Sequence, residues 1–127
     1  MPQDRESGAA AANFGHIAAA AIAAKIGARK LSARSNEFEL NGKRVTIRTA
    51  RKKTSDFGVL YAMLDRVESV IAAYESAPDE FELRSISPET FREAMRDSPT
   101  NKGRVGLVRK TVFVEKGAFV AKVNIAI

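Results

Sequence analysis

The chain has 127 residues, 45% of them hydrophobic, with 4 prolines and 8 glycines, so disorder throughout is excluded and the length suits one domain, 1–127. Its 21 Lys and Arg outnumber its 15 Asp and Glu, a net charge of +6 that favours a polyanionic partner. Cysteine is absent and His16 is the only histidine, which excludes disulfide scaffolds, thiolate zinc sites and cysteine nucleophiles and leaves a serine–histidine triad poorly supported.

Residues 1–8 mix Asp4 and Glu6 with Arg5, unlike the positively charged opening of an export signal, and read as a flexible tail. Ala9 to Ile26 reads as a helix, because alanine has the highest intrinsic helix propensity. Phe14, Ile17, Ala21 and Ile22 fall at helical spacing and are expected to face the core, and Gly27 marks the stop. Asn13, His16 and Lys25 interrupt this stretch, which is too short and too weakly apolar to span a bilayer. No membrane partner is expected, and the expected location is the cytoplasm. His16 reads first as a helix-surface or packing residue; its functional version is a hydrogen bond to a phosphate near Arg48.

A short basic connector with Arg29, Lys30 and Arg34 leads to the clearest local signal in the chain, Phe38 to Arg48. Asn41-Gly42 lies between two alternating segments, and both residues of a two-residue hairpin turn need positive φ. Such a turn pairs Leu40 with Lys43, Glu39 with Arg44, Phe38 with Val45 and Glu37 with Thr46. Phe38, Leu40, Val45 and Ile47 then share one face, and Glu37, Glu39, Arg44, Thr46 and Arg48 the other. A basic loop, Arg51-Lys52-Lys53-Thr54-Ser55, follows.

Phe57 to Tyr74 fits either one helix or two buried strands around a turn at Leu64-Asp65-Arg66. Glu80 to Ser85 reads as a strand, with Phe81 and Leu83 on one side. Ser87, Pro88 and Glu89 then open a helix that presents Phe91, Ala94 and Met95 inward and ends near Asp97. After a loop at Ser98–Gly103, two β segments are expected, Val105–Glu115 and Ala118–Ile127. The second carries an apolar stripe of Phe119, Ala121, Val123, Ile125 and Ile127.

Charge is segregated along the chain. Ten basic residues lie between Lys25 and Lys53 against Glu37 and Glu39 alone, whereas seven acids face three arginines between Glu75 and Asp97. A third, smaller basic cluster comprises Lys102, Arg104, Arg109 and Lys110. Tyr61 and Tyr74 read as core or rim aromatics rather than base-stacking platforms, since no aromatic clusters with the basic loop.

The order helix, hairpin, basic loop, apolar segments, strand, helix resembles the restriction-endonuclease-like superfamily, the PD-(D/E)XK nucleases, loosely from Asn13 to Met95 and specifically over Glu37–Ala50. The resemblance implies an α/β (α+β) fold with a mixed, mostly antiparallel sheet, flanked by the N-terminal Ala-rich helix and a second helix near 88–96. It also favours strands within Phe57–Tyr74. Carried over by position, Glu37 takes the first acid site, Thr46 the second and Arg48 the lysine. Thr46 cannot supply the carboxylate that Mg²⁺ needs, and Arg48 stays protonated, so this catalytic site is degenerate.

The expected function is therefore DNA binding on a nuclease-like fold with degenerate or lost metal-dependent phosphodiesterase chemistry. Arg44, Arg48, Arg51, Lys52, Lys53, Arg29 and Lys30 are the phosphate-contacting candidates. No metal site or cofactor is implied. Mg²⁺ enters only with the alternative of an active endonuclease using Glu37, Glu39 and an acid such as Asp56. A further alternative is a homodimeric interaction protein joined through strand 118–127; such a dimer is also expected to present two basic hairpins to one duplex.

Overall fold

The computed structural model describes residue 15, residues 17–32 and residues 36–126. The expected tail at 1–8, the start of the first helix, His16 and Arg34 lie outside the described residues.

Helix α1 runs over 17–26 and ends at Gly27, whose φ of 79° is the left-handed stop that the sequence predicts. A two-residue strand β1 (Arg29–Lys30) pairs with β2 (Glu37–Leu40), which turns through Asn41-Gly42 into β3 (Lys43–Ala50). The turn residues have φ of 53° and 81°, and the β2–β3 register is the expected one, from Leu40 opposite Lys43 to Glu37 opposite Thr46. Two turn residues with positive φ thus fix eight paired side chains.

Phe57 to Tyr74 contains strands, but not a hairpin. It holds β4 (Asp56–Leu60), the short helix α2 (Tyr61–Leu64) and the beginning of β5 (Ser69–Ala77). β5 pairs in parallel with β3, so β4 and α2 form the crossover between them. β6 (Glu80–Ile86) returns antiparallel to β5, and β9 (Ala118–Asn124) adds to β6. The result is a six-stranded mixed sheet in the order β1-β2-β3-β5-β6-β9. In β5, Val70 to Tyr74 are all buried, as expected of a central strand covered on both faces.

One face of this sheet receives α1. Ala18, Ala19, Ile22 and Ala23 pack on Phe38, Val45, Ile47, Ile71, Ala73, Phe81 and Leu83. The small side chains allow the helix backbone close to the sheet. They also rotate it by about one residue from the expectation: Ile17 is 55% exposed, while Ala18 and Ala19 are buried.

The other face carries a second layer that the sequence reading did not separate. Here β4, β8 (Val105–Arg109) and β7 (Arg96–Asp97) form a three-stranded sheet. It packs with helix α3 (Pro88–Ala94) around Val59, Met63, Leu64, Phe91 and Val108. Ser87 caps α3 as expected, its Oγ accepting from the Thr90 N–H at 3.1 Å. The helix stops at Ala94 rather than near Asp97, because Arg96 and Asp97 join β8 as β7.

The C-terminal part corrects the expectation twice. Val105–Glu115 is not one strand: pairing with β4 ends at Asp56 opposite Arg109, and the chain turns into helix α4 (Lys110–Lys116). The helix drives Phe113 into the core, edge-on to Phe57 at 5.3 Å and Phe91 at 6.4 Å between ring centres. Gly117 closes it where a Cβ would lie 2.3 Å from the Phe113 carbonyl oxygen.

The expected stripe on β9 is also broken. A register shift leaves Phe119 opposite Arg84 and Ala121 opposite Leu83, so Phe119 is turned away from the α1 side. Val123 packs against the α1-side cluster and Ile125 is buried within it. Phe119 is 58% exposed, with the Arg84 guanidinium 5.8 Å from its ring centre. Among the described residues, no helix is long and apolar enough to cross a membrane.

Candidate nucleic-acid interface

The hairpin places Glu37 and Thr46 side by side, with Arg48 two residues further along the same face of β3. The geometry that the resemblance asks of these positions is present, but the Glu37 carboxylate is already engaged. Arg66 donates to Glu37 Oε1 from Nε at 3.2 Å and from Nη2 at 3.0 Å, and an Arg44 guanidinium nitrogen lies 3.8 Å from Oε2. Glu37 is 7% exposed and Thr46 is 1% exposed. Arg66 follows α2 and lies 29 residues from Glu37. No local signal in the sequence marks it as a partner.

Arg48 makes no side-chain hydrogen bond or ion pair among the described residues. Its side chain keeps solvent contact, but the surrounding protein desolvates the guanidinium and pushes its pKa below the ordinary arginine value. An arginine so shifted is still a cation at physiological pH. Arg29 and Lys30 lie on the sheet's far edge and diverge. Arg29 pairs with Glu39 at 3.1 Å, while the Lys30 ammonium stands 5.8 Å from the Phe38 ring centre on the α1 side.

A second basic region forms where the parallel strands β3 and β5 end. The loop 51–55 leaves β3 at Ala50, which is paired with Tyr74. Glu75 holds this loop in place: it accepts from the Lys52 backbone N–H at 3.2 Å and from Arg51 Nη1 at 3.2 Å. It also accepts from the Asp79 N–H in the β5–β6 turn. These contacts, the Lys52 N–H first, hold the Glu75 carboxyl below its ordinary pKa. The Lys52 and Lys53 side chains are left exposed, without ion-pair partners among the described residues.

β4–β8 pairing then brings in residues that sequence places over fifty positions away. Asp56 is opposite Arg109, and the Lys110 N–H donates to the Ser55 carbonyl oxygen at 2.7 Å. The Lys110 ammonium stands 5.3 Å from the Tyr74 ring centre. Burial and the bond it donates to Glu82 at 2.6 Å raise the Tyr74 pKa. Hydrogen bonds from Tyr74 and Arg84 in turn lower that of Glu82. The loop lysines, Arg109 and Lys110 thus share one end of the molecule. Sequence reasoning noted Arg109 and Lys110 but had no signal for the strand pairing that moves them beside the loop.

Asp56, the acid nearest the loop in sequence, is held by Arg96 at 2.6 Å. Tyr61 donates to Asp97 at 2.6 Å. Among the described residues, no three His, Asp or Glu side chains stand close enough together to hold a metal ion. Comparisons with protein-family models, curated proteins and solved structures give no significant match.

Proposed function

We propose that this chain binds DNA through the end of the sheet formed by loop 51–55 and the β8–α4 junction, on a nuclease-like frame whose phosphodiesterase site is degenerate. The observation that carries this reading is the convergence of Lys52, Lys53, Arg109 and Lys110, while Glu75, Asp56 and Glu82 beside them are each engaged by an arginine. Cations without competing acids are free to displace counterions from phosphates. Arg48 extends the set along β3, whereas Arg44 is committed to Glu37. The antiparallel run β1-β2-β3 followed by a parallel β5 supports the nuclease-like frame, although its crossover carries β4 and only the four-residue α2. A cytoplasmic location belongs to the same proposal, and cell fractionation tests it.

Duplex DNA titrated over a salt series tests the binding. Affinity at physiological salt is expected on the order of 10⁻⁴ to 10⁻⁶ M, weakening steeply as salt rises. A salt-independent response would sink the proposal. Incubating plasmid with Mg²⁺ or Mn²⁺ addresses the endonuclease alternative: cleavage that is lost in Glu37→Gln would establish an enzyme.

A homodimer is a second reading, favoured by the position of β9 at one edge of the sheet with Lys122 as its sole charge. Antiparallel pairing of two β9 strands would send their Asn124 ends in opposite directions. Asn124 lies opposite Glu80, at the sheet end that bears the basic loop. This dimer would therefore separate two basic ends rather than gather them on one duplex. Light scattering measures the assembly independently of DNA affinity.

A further inference from the structure

At the opposite end of the six-stranded sheet, beside the Asn41-Gly42 turn, lies a cavity of about 380 Å³, within the size range of small-molecule sites. Its floor includes Val45 and Ile71, both buried in the α1-side cluster, and Val120 of β9 contributes to the wall. Val45 is paired with Ser69 and Ile71 with Ser85, which sets two hydroxyl groups on strands adjoining that floor. Both serines are half-buried, and neither makes a side-chain hydrogen bond among the described residues.

Lys43 and Glu68 also line this cavity. Glu68 is fixed against β3: its Oε2 accepts from the Arg44 N–H at 3.2 Å, and its own N–H donates to the Arg44 carbonyl oxygen at 2.7 Å. Its charge is not consumed by a cation. Among the described residues, neither Lys43 nor Glu68 forms an ion pair, with each other or with any other side chain. Two opposite charges thus border one cavity without neutralising each other across it.

An apolar floor, two free hydroxyls and two separated opposite charges match a small zwitterion with an aliphatic body. We propose that this cavity binds a free aliphatic α-amino acid. Its carboxylate lies at Lys43, its ammonium at Glu68 and its side chain over Val45 and Ile71. Both rim groups are exposed, so a ligand carrying only one of the two charges forgoes the attraction to the other, which is the basis of discrimination. The inference stands apart from the DNA reading, since the cavity and the basic loop occupy opposite ends of β3.

Backbone NMR shifts of the full chain titrated with L-leucine test it, with L-leucinamide, isovalerate and isopentylamine as probes lacking one charge. Leucine is expected to give saturable shifts around Lys43, Val45, Ser69, Ile71 and Ser85, with each one-charge probe about tenfold weaker or worse. Lys43→Met and Glu68→Gln each remove one charge at the rim; glutamine keeps the acceptor for the Arg44 N–H. Each is expected to weaken leucine about tenfold while the rest of the spectrum stays folded. Equal binding of leucine and the one-charge probes, unchanged affinity in both variants, shifts elsewhere, or no saturation at millimolar leucine would each overturn the proposal.

Discussion

Around Glu37, Arg44 and Arg66 close on a single carboxylate with 7% exposure. Beyond β3, Lys52, Lys53 and Arg109 face solvent with no ion-pair partner among the described residues. Both regions belong to basic stretches of the chain, yet the arginines that reach Glu37 are committed to it, whereas the cations of the second region keep their charge for a partner. The difference arises from tertiary placement: Arg66 comes from the α2 turn to neutralise the hairpin, whereas Glu75 takes Arg51 and leaves the loop's lysines outward. A count of cations along a sequence measures supply; which acids reach them decides what remains for a partner.

The largest effect is expected from dismantling what assembles the second region. Phe113 holds α4 against Phe57 and Phe91, and with it the position of Lys110 beside the loop. Phe113→Ala is expected to cost about 3–5 kcal/mol in urea unfolding. At the hairpin, Glu37→Gln leaves two arginines without their counter-charge. It should cost about 1–3 kcal/mol of stability and raise low-salt DNA affinity by freeing those cations. Unchanged affinity would mean that Arg44 and Arg66 lie off the DNA path.

At the open end, Lys52→Ala with Lys53→Ala should shallow the logarithmic salt slope by about 2, whereas Arg44→Ala should move it less. Titration with acid probes the carboxylates that are held by hydrogen bonds. Glu75, Glu82 and Asp97 all have folded pKa values below their ordinary ones. Their contribution is present above the ordinary carboxylate pKa of about 4 and is lost as pH falls through the depressed values. Glu75→Gln should therefore flatten the acid limb of the melting-temperature profile. The smallest effect is expected at the exposed Arg29–Glu39 pair, where Arg29→Ala should cost less than about 1 kcal/mol.

The sequence was most legible where local chemistry alone decides conformation. Asn41-Gly42 dictates its turn, Gly27 its helix stop and Ser87-Pro88 its helix start, and each lies where expected. Legibility failed where a distant partner decides. Val112-Phe113-Val114 alternates like a strand, but β4 offers no partner beyond Asp56, so the segment coils and only Phe113 is buried there. Phe119 and Ala121 are two apart and looked like one stripe, until a shift in pairing with β6 divided them. The candidate site divides likewise. The proximity of Glu37 and Thr46 was readable from the turn, but Arg66 over Glu37 and Lys110 beside Ser55 required the crossover and the second sheet.

The packing of Ile125 has a kinetic consequence. It is buried in the same cluster as Ala18 and Ile22, so the two ends of the described chain meet in one core. β9 reaches that position only by pairing with β6, with α3, β7, β8 and α4 lying between them in the chain. Closure of the α1 side must therefore bring together segments separated by nearly the whole chain, and the fold also needs the parallel β3–β5 crossover. Such long-range pairing places refolding in roughly the millisecond-to-second range. During that interval Phe81 and Leu83 on β6 would stand beside an uncovered strand edge, the species most exposed to association with other chains.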